Sequence, residues 1–474
     1  MNKFYISTPI YYINDIPHIG HAYTTVAADV IARYYKQKIG DENVFFLTGT
    51  DEHGAKVATA AKSAGKDPKE FADSIIPKFE NAWKSLNINY SHFFRTTDER
   101  HEKIVGEILQ KIYDKKLIYE DVYEGLYCEG CERFLTEDEL VNGKCPLHPS
   151  LEPKHQKENN YFFKLSEFND DLIRLFETDE VAILPESRKN EILGKLKSDG
   201  LKDIAISREG VTWGIPIPWD NKQTIYVWVE ALFNYYTATQ FLEGKQKFWP
   251  ANVHLIGKDI LWFHTVIWCA LLKAAELPLP KQVFAHGFFT INGEKMSKSL
   301  GNVIAPKDLV EEFGADATRY LLLSQFPFGS DGDFSIDKLT ERYNANLANG
   351  LGNLVARVAK LCETSNFDFN EKPNTLSELL KEKEIYVGNF ENFLLNSVLD
   401  LIMLDIAGIN QSIDKNEPWD LVGDKLYNFL KPTVRSILNT SVLIRPFMPG
   451  AAKKIEKQFS GPKIKSEVPL FPRI

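Results

Sequence analysis

The amino-acid sequence predicts an α/β protein in which an inserted segment divides a parallel sheet and a helical region follows. Strand-like apolar runs alternate with helical spacing over residues 1–116 and again after residue 224, as expected of a parallel α/β sheet. The pattern breaks between 117 and 224, and beyond residue 346 it is helical throughout. A length of 474 residues suggests about three domains.

The first predicted strand is Phe4 to Ile10, and the first predicted helix covers Ala22 to Tyr35. A second buried strand, Val44 to Thr48, leads into polar residues that include Asp51 and His53. Because ligands of parallel sheets collect at the carboxyl ends of the strands, these two are candidate site residues. Capping of the following helix is an equally open role for them.

The tetrapeptide HIGH, from His18 to His21, lies where the first strand turns into the first helix. Three residues apart on a first helical turn, the two histidines face the same way, beside amide groups that favour anions. Gly20 has no side chain to block a flat ring. The motif alone is a weak signal, because histidine at a helix start is often only a cap.

The inserted region carries two knuckle-like pairs of soft or borderline metal ligands. The predicted zinc ligands are Cys128, Cys131, Cys145 and His148. His155 is an alternative fourth ligand with a poorer spacing, and ordinary core cysteines are the competing interpretation. A closed Cys3His shell has no open position for water, so we expect one structural zinc per chain.

A second motif, KMSKS from Lys295 to Ser299, lies between Gly293 and Gly301, which mark a loop. A given pentapeptide occurs by chance in roughly one of several thousand chains of this length, although a solvated basic loop is the simpler interpretation. Two lysines and two histidines that meet at a triphosphate would stabilise the charge of a transition state at the α-phosphate of ATP.

With both motifs present in this order, the chain resembles the class I aminoacyl-tRNA synthetases, whose signatures are HIGH and KMSKS. Within that class, Tyr226 to Leu232, Leu255 to Ile260 and Phe284 to Gly287 are similar to the methionyl-tRNA synthetases. The resemblance runs from residue 3 to about residue 450.

The resemblance implies a Rossmann-type parallel-sheet catalytic domain with an inserted zinc-knuckle connective domain, followed by an all-α anticodon-binding bundle. The expected divisions are 1–116 and 225–290 for the catalytic domain, 117–224 for the insertion, 291–345 for the KMSKS loop and stem-contact region, and 346–474 for the bundle. The implied activity is the reaction of methionine with Mg2+-ATP to methionyl-adenylate and pyrophosphate, followed by transfer of methionine to tRNA(Met), both initiator and elongator.

The resemblance also implies the residues of the ATP site. They are His18, Gly20, His21, Gly257, Asp259, His286, Gly287, Lys295, Met296, Ser297, Lys298 and Ser299. Four of them, His18, His21, Lys295 and Lys298, would be catalytic. Lys295 and Lys298 would close on the phosphates as the KMSKS loop moves.

The implied methionine pocket is aromatic and apolar, which suits a thioether. Its residues are Ile10, Tyr12, Asp51, Trp228, Ala231, Leu232, Tyr235, Ile260 and His264. Asp51 would hold the α-amino group, and Tyr235 and His264 could offer a donor proton to the sulfur. Each of these residues alone could equally be part of the core.

Four residues of the helical region are implied to read the anticodon: Asn353, Arg357, Pro418 and Trp419. Asn353 and Arg357 are four apart, so they project from one helix face, and Pro418 is expected to open another helix. Stacking of Trp419 on an unpaired base would contribute about 1 to 3 kcal/mol. Packing between helices is the alternative role for this tryptophan.

Composition sets broader expectations. No apolar run is long enough to cross a bilayer, no signal peptide is present, and the five cysteines do not suggest a disulfide framework, so we expect a cytoplasmic protein. The net charge of −9 does not itself indicate a nucleic-acid partner, although lysines cluster between 453 and 465. Because no appended dimerisation domain follows the bundle, we expect a monomer.

Four alternatives stay open at this point. A synthetase for isoleucine, valine or leucine needs a larger editing insertion, and a cysteinyl enzyme needs an open metal site in its catalytic core. A nucleotidyltransferase with the HxGH motif would not explain KMSKS or the helical third. An RNA-binding module without activity would not explain two intact ATP motifs.

Overall fold

The computed structural model describes residues 2–14, 16–128, 133–135, 137–146, 152–296 and 303–474. The predicted alternation of strands and helices is present from the start of the chain. The first elements are β1 (Phe4–Tyr12), α1 (Ile19–Ile39), β2 (Val44–Asp51), α2 (Ala55–Ser63), α3 (Pro68–Ser85), β3 (His92–Arg95) and α4 (Glu99–Asp114). β2 is buried along its whole length, which is typical of a strand covered on both faces.

The middle of the chain is richer in short strands. Its elements are β4 (Ile118–Cys128), β5 (Arg133–Leu135), β6 (Lys154–Phe163), α5 (Asn169–Glu177), β7 (Ala182–Leu184), α6 (Glu186–Asp199), β8 (Ile204–Ala205), β9 (Ser207–Arg208), β10 (Pro216–Ile217) and β11 (Asp220–Ile225). β5, β4, β6 and β8 form one small antiparallel sheet in that order, and β10, β11 and β9 form another.

The α/β pattern then returns. The next elements are α7 (Val227–Leu232), α8 (Asn234–Phe241), β12 (Val253–Gly257), a π-helical turn (Phe263–Ile267), α9 (Trp268–Ala275) and β13 (Gln282–His286). They are followed by β14 (Phe289–Ile291), β15 (Glu294–Lys295), α10 (Pro306–Phe313), α11 (Ala315–Ser324), β16 (Gly332–Phe334) and α12 (Ile336–Arg342).

The last part of the described chain is helical, as the sequence predicts. A π-helical segment (Tyr343–Gly352) leads into α13 (Asn353–Ser365), α14 (Leu376–Leu380), α15 (Glu384–Glu391), α16 (Leu395–Asn416), α17 (Gly423–Ile444) and α18 (Pro449–Phe459). Pro418 does not open a long helix, because Pro418–Asp420 form a single 3-10 turn and α17 begins at Gly423.

The central sheet is parallel and six-stranded, in the order β3-β2-β1-β12-β13-β7. β1 lies between β2 and β12, with Ile6 opposite both Phe46 and Val253. Strand order therefore reverses at β1, and in such sheets the crevice beyond the carboxyl ends at the reversal is where ligands bind.

One strand of this sheet comes from the segment assigned to the insertion. Ala182–Leu184 pairs in parallel with β13 and forms the edge of the sheet, so the chain returns to the sheet within the range 117–224. Three residues are too few to produce a period-2 pattern, and this is why the sequence did not reveal the strand.

A fully buried arginine joins the sheet layer to the helical region. Arg319 of α11 forms an ion pair of 2.7 Å with Asp29 of α1, and both side chains have 0% exposure. Its guanidinium also donates to the carbonyls of Leu86, Pro446 and Phe447. The ion pair and these bonds connect α1, α11 and the segment before α18. In the described part of the chain, no helix is long and apolar enough to cross a membrane.

We predict that Arg319→Met lowers the stability of the protein by about 3 to 5 kcal/mol, because the buried Asp29 carboxylate loses its fully buried cationic partner and three buried carbonyls lose a donor. Arg33 and the Asn89 N–H still donate to Asp29 in this variant. The thermal unfolding midpoint measures this change. Arg174→Met is the matched control, since Arg174 is 59% exposed in its ion pairs and should change stability by less than about 1 kcal/mol. An unchanged midpoint in Arg319→Met would contradict the connecting role.

Candidate active site

A cavity of about 2050 Å3 opens at the carboxyl ends of β1 and β12. Its wall includes Tyr12 at the end of β1 and Gly257 at the end of β12, at the place where strand order reverses. The start of α1 and three residues of α7, Trp228, Ala231 and Leu232, also line it. Residues separated by more than two hundred positions in the chain therefore share one cleft.

The two histidines of HIGH both line this cavity and stack on each other, with ring centroids 3.9 Å apart. His18 is the N-cap of α1: its Nδ1 accepts from the Gly20 N–H at 3.1 Å. The His18 N–H donates in turn to Nδ1 of His21 at 3.3 Å. His18 therefore caps α1 and lines the cavity at the same time.

These backbone bonds fix which ring nitrogens can donate to a ligand. Because Nδ1 of each ring accepts a hydrogen bond, the proton of each neutral imidazole is on Nε2. Burial, together with the neighbouring His18, holds the pKa of His21 well below its usual value. His21 is therefore neutral at pH 7 and offers an anion one N–H donor.

The KMSKS segment starts at the same place. Met296 lines the cavity, and its Cε lies 3.5 Å from where a side chain on Gly20 would begin. On the other side of the segment, the Ile304 carbonyl accepts from the Ile19 N–H at 3.0 Å. The two motifs therefore meet in the fold. Ser297, Lys298 and Ser299, with the side chain of Lys295, lie outside the described residues.

The remaining residues of the predicted ATP site lie beyond β12 and β13. Gly257, Asp259, His286 and Gly287 all line the cavity. Nδ1 of His286 lies 2.8 Å from the Gly287 carbonyl and Nε2 lies 2.6 Å from the Thr24 hydroxyl, so Nδ1 donates and Nε2 accepts. Burial lowers the pKa of His286 to about 4.

Gly287 is required by a close approach of two segments. A Cβ atom at this position would overlap the backbone of Ser330 and Asp331, and the glycine lets that backbone pass beside the cavity. Thr24, which orients His286 from α1, was not found from the sequence, because a threonine inside a helix carries no signal of its own.

All nine residues of the predicted methionine pocket line the same cavity. They are Ile10, Tyr12, Asp51, Trp228, Ala231, Leu232, Tyr235, Ile260 and His264. Trp228 stacks on Phe263 with centroids 4.2 Å apart and meets Tyr12 edge-on at 6.2 Å. Together these rings form a flat-walled apolar compartment.

The polar end of this compartment is a hydrogen-bonded pair. His264 Nδ1 lies 2.9 Å from the Ile260 carbonyl, so it must donate, and Nε2 then accepts from the Tyr235 hydroxyl at 2.7 Å. Burial lowers the pKa of His264 to about 4, which keeps the ring neutral. In this arrangement both protons are used within the protein, so a donor proton from Tyr235 or His264 to the methionine sulfur stays a prediction. Tyr235 presents oxygen lone pairs instead.

Two further cavity residues were missed by the sequence reasoning. Arg208 is 6% exposed, lines the cavity and lies over the ring of Tyr226 at 3.9 Å. Phe263 supplies one of the stacked rings. Arg208 belongs to a two-residue strand and Phe263 to a π-helical turn, and neither element has a periodic pattern in the sequence.

Asp51 and His53 take different places. Asp51 lines the cavity, whereas His53 bonds to Glu230 behind the wall, with 3.0 Å between its Nδ1 and the Glu230 Oε1. Neither residue is the cap of α2, whose N-cap is Gly54.

Two of the predicted zinc ligands come together. Cys128 and Cys145 are each 1% exposed and pack in one small cluster with Leu135. Two thiols enclosed in this way fit half of a closed zinc site. Cys131 and His148 lie outside the described residues. The alternative ligand His155 has a 64% exposed side chain on β6, paired opposite Leu126.

The predicted anticodon residues lie at one end of the helical region. Arg357 of α13 forms an ion pair of 2.6 Å with Asp414 near the end of α16. Asn353 is exposed one turn before it, and Pro418 is buried in the following turn. Trp419 is 54% exposed, so packing between helices does not account for it.

Comparison with known proteins adds to this geometry. A family model described as "tRNA synthetases class I (M)" matches residues 4–152 and 148–359. The methionine–tRNA ligase of Caldanaerobacter subterraneus is 42% identical, over 99% of this chain and 79% of its own. That of Rickettsia bellii is also 42% identical, over 99% of this chain and 94% of its own.

Solved structures agree. Mycobacterium tuberculosis methionyl-tRNA synthetase in complex with methionyl-adenylate matches with a TM-score of 0.92 and 34% identity, over 100% of both chains. Its apo form matches with a TM-score of 0.84 and 32% identity, over 100% of this chain and 98% of that one. On the family model, the relatives and the shared fold, the chain belongs to the class I tRNA synthetases, in the family described by the letter M.

Proposed function

We propose that this protein is a methionine–tRNA ligase, which activates methionine with ATP and transfers it to tRNA(Met). The observation that carries the proposal is that both HIGH histidines and Met296 of KMSKS share one cavity with a flat aromatic compartment. A nucleotide end and an amino-acid end in one cleft suit a reaction that joins the two substrates. Family membership and the 42% identical ligases support the same activity.

In the first step, the methionine carboxylate attacks the α-phosphorus of ATP, and pyrophosphate leaves. Magnesium enters with the ATP phosphates and neutralises part of their charge. His18 and His21 donate from Nε2 to phosphate oxygens, while Lys295 and Lys298 hold the α-phosphate and the leaving group. Asp259 accepts from ribose hydroxyls. No covalent enzyme intermediate is required, because the residues only position and stabilise charge.

Selection of methionine follows from the shape of the pocket. Trp228, Phe263 and Tyr12 form flat walls between which an unbranched chain fits, and a β-branched side chain would clash. Ring faces and edges attract a thioether by about 0.3 to 1.5 kcal/mol. Asp51 holds the α-amino group. For Tyr235 to donate to the sulfur, its hydroxyl must first break its hydrogen bond to His264 Nε2. The bond to His264 and the bond to the substrate are therefore alternatives.

The finer parts of the proposal concern the rest of the chain. The cluster of Cys128 and Cys145 belongs to a structural zinc site completed by Cys131 and His148. Asn353, Arg357, Pro418 and Trp419 read the anticodon, and the exposed indole supports that role. We also propose that the protein is a cytoplasmic monomer.

ATP–pyrophosphate exchange measured with each of the twenty amino acids tests the activity. Methionine alone should support rapid exchange, because the compartment fits an unbranched thioether. Lys298→Ala should slow methionine-dependent exchange by a factor equivalent to about 2 to 4 kcal/mol, through loss of transition-state stabilisation. Lys307→Ala is the control, since Lys307 is an exposed residue of α10. Exchange with another amino acid and not with methionine would refute the activity.

The anticodon role predicts a separation of the two steps. Trp419→Ala should lower aminoacylation of tRNA(Met) by about 1 to 3 kcal/mol in kcat/KM, the value of one base–aromatic stack, and leave pyrophosphate exchange unchanged. Trp419→Phe keeps a ring and should keep most of the aminoacylation. Equal loss of both activities in Trp419→Ala would instead indicate that the helical region had lost stability.

The zinc proposal predicts one zinc per chain by elemental analysis of protein purified without chelators. Cys145→Ser should lower that ratio towards zero, because a hydroxyl is a poor replacement for a thiolate ligand. Cys362→Ser is the matched control: this cysteine is equally buried but lies in α13. A ratio near zero in the wild type would remove the site.

A further inference from the structure

Three buried side chains lie behind the amino-acid end of the cavity without lining it. Glu230 belongs to α7, His101 belongs to α4, and His53 follows β2. Glu230 and His101 are 0% exposed and His53 is 3% exposed. A carboxylate at this depth is costly unless both of its oxygens have partners. The mechanism above uses none of the three.

The carboxylate of Glu230 bridges the two histidines. Its Oε1 lies 3.0 Å from Nδ1 of His53, and its Oε2 lies 3.0 Å from Nε2 of His101. Because an ionised carboxylate only accepts, each imidazole donates to it. The far sides of the rings face Glu102 at 3.6 Å and the Thr237 hydroxyl at 2.8 Å.

Charge supports this arrangement. Burial would lower the pKa of His53, but the Glu230 carboxylate, its hydrogen bond and the charges of Glu102 and Glu52 together raise it. Burial would likewise raise the pKa of Glu230, and the charges and hydrogen bonds of His53 and His101 lower it instead. Glu230 is therefore ionised around neutral pH, and it accepts from both imidazoles.

The bridge joins two separate parts of the cavity wall. Glu230 shares the short helix α7 with Trp228, Ala231 and Leu232, all of which line the methionine end. His53 lies two residues after Asp51, which lines the same end from β2. Glu230 thus sets the position of the aromatic and apolar wall relative to Asp51, the carboxylate proposed to hold the α-amino group. Through His101, α4 contacts the same Glu230 side chain.

We propose that Glu230 is a positioning residue for methionine recognition, which sets the spacing between α7 and the end of β2 through its hydrogen bonds to His53 and His101. The inference rests on the proposed function of the cavity. Glu230 acts on methionine binding and not on ATP binding, because its bridge to the two histidines contacts neither HIGH nor the ends of β12 and β13. A purely stabilising ion pair would instead lower the melting temperature and leave substrate affinities unchanged.

The test is methionine- and ATP-dependent pyrophosphate exchange by Glu230→Gln and His101→Leu in the full chain. Glu230→Gln keeps the side-chain shape but turns an NH2 group towards an imidazole donor, so one of the two bonds is lost. We expect its KM for methionine to rise about tenfold or more, with ATP KM and kcat changed less than about threefold. His101→Leu keeps the hydrogen bond between Glu230 and His53. Its KM for methionine should therefore also rise selectively, but by a smaller factor.

Asp29→Asn is the matched control. Asp29 is equally buried and ion-paired, but it lies about 16 Å along α1 from His18, and it should lower the melting temperature without raising the methionine KM. If Glu230→Gln does not fold, His101→Leu carries the test alone. A wild-type methionine KM in the folded variants, or an equal rise in Asp29→Asn, would overturn the inference. Wild-type protein without methionine-dependent exchange would refute the proposed function itself, and the inference with it.

Discussion

The parallel pairing of β1 with β12 is the constraint on which the site depends. It sets Ile6 beside Val253 although the whole segment assigned to the insertion lies between them in the chain. At the carboxyl end of this pair the sheet order reverses, and the chains of β1 and β12 diverge to opposite sides. The divergence leaves a crevice, which the start of α1 and the helix α7 then line. The HIGH end and the aromatic end of the cavity therefore both depend on the pairing of β1 with β12.

Hydrogen bonds used for folding also set the chemistry of the site. The backbone at the start of α1 occupies Nδ1 of both HIGH histidines, which places the ring proton of each neutral imidazole on Nε2. The Ile260 carbonyl fixes the tautomer of His264, and that tautomer holds the Tyr235 proton. Burial lowers the pKa values of His21 and His264 and keeps these two imidazoles neutral. The cavity therefore presents neutral donors at one end and oxygen lone pairs at the other.

Two buried ionic contacts join elements that line the cavity to other parts of the fold. Arg319 joins α1 to the segment before α18 through an ion pair and carbonyl acceptors, all without water contact at the guanidinium. Glu230 joins α7 to α4 and to the end of β2. The proposed activity requires the residues around the cavity to keep their spacing while the substrates bind. Buried, directional ionic contacts suit that demand, because their geometry tolerates little displacement.

The sequence by itself determined the alternation of strands and helices and the HIGH and KMSKS signatures, because long apolar periods and rare motifs are local signals. The expected methionine pocket came from the family resemblance that those motifs carry. It did not reveal β7, Thr24, Arg208 or Phe263, whose elements are too short or too irregular to have a period. Only the tertiary structure decided which nitrogen of each histidine carries a proton, that Tyr235 is not a free donor, and that Glu230 lies between two histidines. Those properties depend on distances of about 3 Å between residues far apart in the chain, and no local pattern encodes such distances.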